Sequence, residues 1–293
     1  TKSTHMAKNR RSRKKRKKSG SSIGTALTVI GAMALLIALV GAGVFLTINT
    51  EKEVALDKDS LCPKTGARGT VAVLLDTTDE LALVTKNEVK DKILEIQRTL
   101  PRFYQVSVYT LNETGLNEKP VASICNPGRL DQRDKLAQQG LTANPILIER
   151  KYNEFESAIL IAIDSVFEKQ FGATQSPLLA SLQELSVVIP KPIDIDDELY
   201  FAGRNKIVFV TDFLEHTEIF SNYRSGLNFE EFQKSRATEK FGKSYNNLEF
   251  ELLMVRRNIE QFTTLDLAKF WAKVFKQEFK ANIRSLKILS GEI

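Results

Sequence analysis

Thr70 to Glu80 reads TVAVLLDTTDE, a nearly unbroken apolar run that ends in a cluster of acceptor side chains. Val71, Ala72, Val73, Leu74 and Leu75 show no polar alternation, which is the pattern of a strand covered on both faces in a parallel sheet with helices above and below. Asp76, Thr77, Thr78, Asp79 and Glu80 fall where such a strand ends. Hard oxygen donors at a strand's carboxyl end suit a divalent cation, and open α/β sheets bind ligands outside their strand tips, where the winding reverses.

The chain after this stretch alternates helical and strand patterns. Thr85 and Glu88 have capping-box spacing, and Val89, Ile93, Leu94, Ile96 and Leu100 keep a helical period up to Pro101, predicting a first helix. Phe103 to Leu111 (FYQVSVYTL) and Val121 to Cys125 are strand-like runs. The loop between them, with Asn112, Gly115 and Asn117, is too short for a crossover helix, so they predict a hairpin. A polar connection of about twenty residues leads from Asn126 to Pro145, long enough to suggest a partner-facing loop. Ile146 to Phe171 predicts one long helix with Phe155, Ile159, Ala162, Ile163 and Phe167 on one side. After a break at Gly172, Pro177 fits the first position of a second helix and Ser176 its cap. Asp194 to Glu198 forms an acidic loop, and Lys206 to Thr211 (KIVFVT) is a continuous apolar strand ending at Asp212. Residues 229–241 predict a helix, 248–255 a strand, 265–279 a helix with Phe270, Trp271 and Phe275 inward, and 283–289 a last strand. The expected architecture is α/β: a doubly wound, mostly parallel sheet of six strands, with no internal repeat.

Upstream, the composition changes abruptly. Ten of the 42 Lys and Arg lie in residues 1–22, where there is no Asp or Glu; the remaining 32 face 36 acidic residues, so the body is mildly acidic. A nucleic-acid-binding surface is usually a basic face on a folded domain, and this clustering at one end argues against it. Ile23 to Ile48 follows, uncharged and 26 residues long, enough at about 1.5 Å per residue to span a bilayer with some tilt. It is longer than the apolar core of a cleaved signal peptide, and predicts an uncleaved signal anchor. The basic run Lys8 to Lys18 then stays cytoplasmic and the rest of the chain lies on the far side. Ala34, Ala38 and Ala42, near Gly31, have the spacing of close helix packing in a membrane, which allows an oligomer through this span. The expected organisation is therefore 1–22 a basic cytoplasmic tail, 23–48 a transmembrane helix, 49–61 a charged tether and 62–293 an extracytoplasmic domain, periplasmic in a bacterium. Thr1 to His5, ahead of Met6, look like a tag remnant. In an oxidising compartment the two cysteines, Cys62 and Cys125, predict a disulfide.

The order of elements in 62–293 resembles that of a von Willebrand factor A-like domain. In that family a metal-ion-dependent adhesion site is built from an Asp-x-Ser-x-Ser turn after the first strand, a Thr or Ser before a middle helix, and an Asp after the fourth strand. The resemblance implies Asp76 and Thr78 from the turn, Ser176 or Thr174 from the middle loop, and Asp212, holding Mg²⁺ or Ca²⁺. This chain departs from the pattern at Glu80, where the family has Ser, and has Thr for Ser at 78. Thr78 keeps the hydroxyl, while Glu80 brings a further charge that would tighten the cation or fill the position an acidic partner would take. The alternative for Asp76, Thr78 and Asp212 is that they end strands and cap helices, as Asp and Thr often do.

Two functions fit these readings. One is a membrane-anchored interaction or assembly module that binds a protein or envelope partner through the cation. The other is an extracytoplasmic metal-dependent hydrolase, phosphoesterase-like, using Asp76 and Asp212. Within 62–293 there is no Gly-x-Ser-x-Gly elbow, no P-loop, no zinc-binding His pair and no Asp-x-Asp at the end of a predicted strand, so binding is the better-supported reading. His216, the one histidine of the body, reads as a solvated loop residue.

Overall fold

The computed structural model describes residues 30–42, 56–132, 144–169, 172–191 and 205–291. The chain falls into two units, Thr1–Glu51 and Lys52–Ile293. In the first, residues 30–42 form a helix in which Ile30, Met33, Leu35, Leu36, Ile37, Leu39 and Val40 are all more than half exposed. Among the described residues no helix is long and apolar enough to cross a membrane. The expected span 23–48 extends past the described helix at both ends. The basic tail, most of the tether, the acidic loop 194–198 and most of the polar connection after Gln132 also lie outside the described residues.

The second unit is a mixed α/β fold on a mostly parallel, seven-stranded sheet. Its strands are β1 (Gly69–Asp76), β2 (Tyr104–Asn112), β3 (Gly115–Leu116), β4 (Ala122–Cys125), β5 (Asn205–Thr211), β6 (Leu248–Met254) and β7 (Asn282–Ile288). They lie in the order β3-β2-β1-β5-β6-β7, with β4 also paired to β2. β1 is parallel to β2 and β5, while β3 and β4 run antiparallel to β2. The seventh strand is the two-residue β3, too short to leave a periodic pattern; Gly115, at φ 117°, makes the turn that an L side chain would resist.

Every residue of β1 is buried, which is why its sequence does not alternate. Ala72 and Leu74 face one core, with Phe209, Phe213, Phe232, Trp271 and Phe275; Val71, Val73 and Leu75 face the other, with Val89, Ile93, Phe155 and Ile159. Helices α1 (Leu83–Thr99) and α2 (Pro145–Phe167) cover the second face. α3 (Leu178–Val188), the short α4 (Asn222–Ser225), α5 (Phe229–Gln233) and α6 (Arg236–Phe241), and α7 (Thr264–Lys273) complete the helices, with α3, α5, α6 and α7 on the first face. A buried Leu such as Leu74 contributes about 1.5 to 3 kcal/mol by leaving water.

Several local expectations are corrected. Thr85 lies inside the first turn of α1, whose N-cap is Ala82; Glu88 instead accepts hydrogen bonds from Ser290 N (2.6 Å) and Oγ (2.8 Å), tying α1 to the chain after β7. The helix expected over 229–241 is two pieces, because the Phe232 carbonyl accepts from Ser235 Oγ and Thr238 Oγ1 as well as the backbone and ends the first. α2 stops at Phe167, and α7 continues into a π-helical turn at Val274–Glu278. At the amino end, Cys62 and Cys125 form the expected disulfide.

Candidate functional site

The two central strands send their chains in opposite directions. β1 is followed by α1 on one face of the sheet, whereas the helices α5 and α6 after neighbouring β5 pack on the other. The carboxyl ends of β1 and β5 therefore open a crevice at the reversal of winding, the place where such sheets bind ligands. Asp76 is the last residue of β1 and Asp212 the first after β5.

Asp76 is held in this crevice by three hydrogen bonds. Its Oδ1 accepts from Thr78 N (2.9 Å) and Thr78 Oγ1 (2.6 Å), and its Oδ2 from Thr211 Oγ1 (2.7 Å). Thr77 pins the same turn sideways, its Oγ1 donating to the Leu111 carbonyl (2.7 Å). The Thr78 carbonyl accepts from Gly172 N and Ala173 N, drawing the loop between α2 and α3 onto the turn. That loop places Ser176 Oγ 3.4 Å from Thr78 Oγ1. Ser176 is not the cap of α3, where Pro177 stands; its N–H and C=O pair with His216 instead.

The β5 side is fixed by packing. Phe213 adopts the left-handed backbone, φ 61°, a conformation costing a non-glycine residue about 1 kcal/mol or more. Its ring is buried against Phe209, Trp271 and Phe275, and Trp271 Nε1 donates to its carbonyl (2.6 Å). Packing thus forces the bend that turns Asp212 into the crevice. There Asp212 Oδ1 accepts from Leu214 N (2.9 Å) and Oδ2 from Arg257 Nε (3.1 Å). Arg257 also donates through Nη1 to the Glu80 carbonyl (3.0 Å). Glu215, 1% exposed, accepts from Leu179 N (2.9 Å) and Thr217 Oγ1 (3.0 Å) and so caps α3 from outside the helix.

These carboxylates are short of positive charge. Burial, then the charge of Asp76, raises Asp212 to about 7 against the opposing pull of Arg257. Asp76 is also raised, by burial above all, although its hydrogen bonds from Thr78 and Thr211 work the other way. Burial raises Glu215 to about 7 as well. Beside Asp212 lies a cavity of about 400 Å³ bordered by Asp79, Asp212, Tyr223, Arg257 and Glu260.

The structure thus brings Asp76, Thr78, Ser176 and Asp212 to one crevice from three separate loops. It does not bring Thr174 there: that side chain is exposed and lies 3.4 Å from Glu113 Oε2. Glu80 is exposed and is tied to the site through its carbonyl. His216 is half-buried, with Nδ1 2.9 Å from Ser221 Oγ and its ring edge-on to Tyr223, so it is a structural element of the crevice wall rather than a solvated loop residue. Thr211, Glu215 and Arg257 are the participants that sequence reasoning missed. Thr211 adjoins Asp212 and has a signal in that adjacency; Glu215 and Arg257 are ordinary charged residues in loops.

The donors fit a hard divalent cation. Two carboxylates and two hydroxyls converge, all oxygen, with Thr78 Oγ1 between Asp76 and Ser176 and an excess of negative charge for a cation to offset. Among the described residues no cluster of three or more His, Cys, Asp or Glu forms a metal site, and half of this set is hydroxyl. No family model matches the chain, and no curated protein matches it in sequence.

Proposed function

We propose that the chain is a membrane-anchored, extracytoplasmic module of the von Willebrand A-like kind, which binds a protein or envelope partner at the carboxyl edge of its sheet through a divalent cation, Mg²⁺ or Ca²⁺. The observation that carries this reading is the meeting of Asp76, Thr78, Ser176 and Asp212 at the reversal of winding between β1 and β5. Asp76, Thr78, Ser176 and Asp212 would hold the ion. A bound cation supplies a positive charge that a partner's carboxylate can complete. Such a cation would face both Asp76 and Asp212, and binding it would relieve their mutual repulsion.

The course of the chain supports the anchored arrangement. The described residues from Leu56 on enter the domain at the amino end of the sheet, where Asp57 N donates to the Cys62 carbonyl and Cys125 N to the Ser60 carbonyl. The site lies at the other end of an eight-residue strand, about 26 Å away at roughly 3.3 Å per residue. The uncharged stretch 23–48 behind ten basic residues supports the span itself, with the tail cytoplasmic, and protease added outside intact cells is expected to digest the domain and spare the tail.

The direct test is thermal melting of the purified full chain in detergent. Chelator is expected to lower the melting temperature and Mg²⁺, Mn²⁺ or Ca²⁺ to restore it, with a gain of about 2.7 kcal/mol at a hundredfold excess over Kd. The response disappears in Asp76→Ala. A wild-type curve indifferent to both chelator and cation returns Asp76, Thr78 and Asp212 to the role of strand-end caps.

A further inference from the structure

We infer that Arg257 sets the cation affinity of this site by serving as the counterion of Asp212 in the metal-free protein, so that a divalent cation and Arg257 compete for the same carboxylate. The inference rests on the cation reading above and adds the residue that tunes it.

Three features of the crevice lead to it. First, Asp212 and Arg257 are both enclosed, their side chains 3% and 14% exposed, so the 3.1 Å pair between them is shielded from water and salt. Second, the two oxygens of Asp212 are divided: Leu214 N holds Oδ1 and the guanidinium holds Oδ2. Among the described ion pairs, the cation on Asp212 is Arg257. A cation drawn to Asp212 and Asp76 therefore meets a positive charge already resident on one of its ligands. Third, the guanidinium has somewhere to go. It borders the 400 Å³ cavity, where Asp79 and Glu260 stand as alternative carboxylates.

Displacement would also be felt outside the crevice. Arg257 Nη1 bonds the Glu80 carbonyl, so the same side chain clasps the loop after β6 to the turn after β1. When the cation arrives and Arg257 leaves Asp212, that clasp is strained or released, and the turn carrying Asp76 and Thr78 is freed from the loop carrying Arg257. The metal-free site is thus self-neutralised and clasped, and the loaded site is open towards the cavity.

The test compares the full chain in detergent with Arg257→Gln and Arg257→Lys, by calorimetric titration of MgCl₂ into chelator-treated protein and by melting with and without the ion. Gln removes the charge while keeping hydrogen-bonding capacity. Arg257→Gln is expected to bind Mg²⁺ on the order of tenfold more tightly than the wild type, a coupling within the usual range between linked sites. Its metal-free form melts lower and gains more from the ion. Arg257→Lys, which keeps a point charge but not the span to the Glu80 carbonyl, falls between the two. If Arg257→Gln is unfolded without metal, recovery of its melting transition on adding Mg²⁺ supports the inference, and failure to recover overturns it. Equal or weaker binding by Arg257→Gln, with the wild type still binding, overturns the competition and leaves the cation site standing. Absence of binding in all three proteins overturns the cation reading and this inference with it.

Discussion

At the amino end of β1 the domain is closed by a disulfide and by neutral amides, whereas at the carboxyl end three carboxylates, Asp76, Asp212 and Glu215, are buried and a guanidinium, that of Arg257, is paired with Asp212. Asn126, 1% exposed, donates through Nδ2 to the Leu100 carbonyl (2.7 Å) and accepts from Gly128 N at Oδ1 (2.9 Å). Asn205 does the same across the sheet, accepting from Thr70 N and donating to the Pro190 carbonyl. A neutral amide with its donor and acceptor matched costs little to bury. Asp76, Asp212 and Glu215 are buried as well, but among the described ion pairs it is Asp212 alone of the three that has a cation, the mostly enclosed Arg257. The amino end is therefore built for stability, whereas the carboxyl end keeps like charges buried close together, the repulsion that the proposed cation would relieve.

The largest expected effect breaks the amino end alone. Replacing Cys62 and Cys125 together by Ser opens a loop with a sequence separation of 63 and is expected to lower unfolding free energy by about 4 kcal/mol on the chain-entropy account. Guanidinium denaturation measures it. The cation response of the folded fraction should be unchanged, because the disulfide and the crevice sit at opposite ends of β1; loss of that response would show the two ends to be coupled.

A smaller effect probes the charge at the carboxyl end through pH. Glu215 is raised from 4.5 to about 7 by burial, and Asp212 and Asp76 are raised in the same direction. An acid whose folded pKa lies above its unfolded value stabilises the fold fully below the unfolded pKa, and that contribution is lost as pH rises through the folded one. In chelator, stability should therefore decline between about pH 4.5 and 7, by on the order of 2 kcal/mol for Glu215. Glu215→Gln, which keeps an acceptor for Leu179 N, should remove its share of that decline. Denaturation midpoints across this range check it, and an unchanged slope in the variant would clear Glu215 of the effect.

The smallest effect separates two neighbouring hydroxyls. Ser176→Ala should weaken cation binding, since its Oγ lies beside Thr78 Oγ1. Thr174→Ala should leave both affinity and stability within about 0.5 kcal/mol of the wild type, as exposed substitutions usually do. Titration of the two variants side by side decides it; the reverse ranking would put the ion on the outer part of the loop, near Glu113.

Much of the sheet is legible in the sequence, for a physical reason. A strand buried on both faces needs an apolar residue at every position, so β1 and β5 announce themselves in Val71 to Leu75 and Ile207 to Val210. The long helix α2 shows itself equally well, because Phe155, Ile159, Ile163 and Phe167 must share one side to reach the core. β3 and the break between α5 and α6 left no such mark, being set by single hydrogen bonds and a two-residue pairing. Thr85 and Glu88 had the right spacing for a cap, yet Glu88 found Ser290, 202 residues on, which no local rule could anticipate.

The same division runs through the candidate site. The sequence by itself placed Asp76, Thr78 and Asp212 at strand ends, because an apolar run stops where burial stops, and it marked Cys62 and Cys125 as partners through the compartment implied upstream. Only the tertiary structure chose Ser176 over Thr174, brought Arg257 to Asp212 across 45 residues and set Glu215 over the first turn of α3. Apolar burial is written into every residue of an element and can be read there. A hydrogen bond or ion pair between loops depends on which strand tips become neighbours, and that is decided by the order of the assembled sheet.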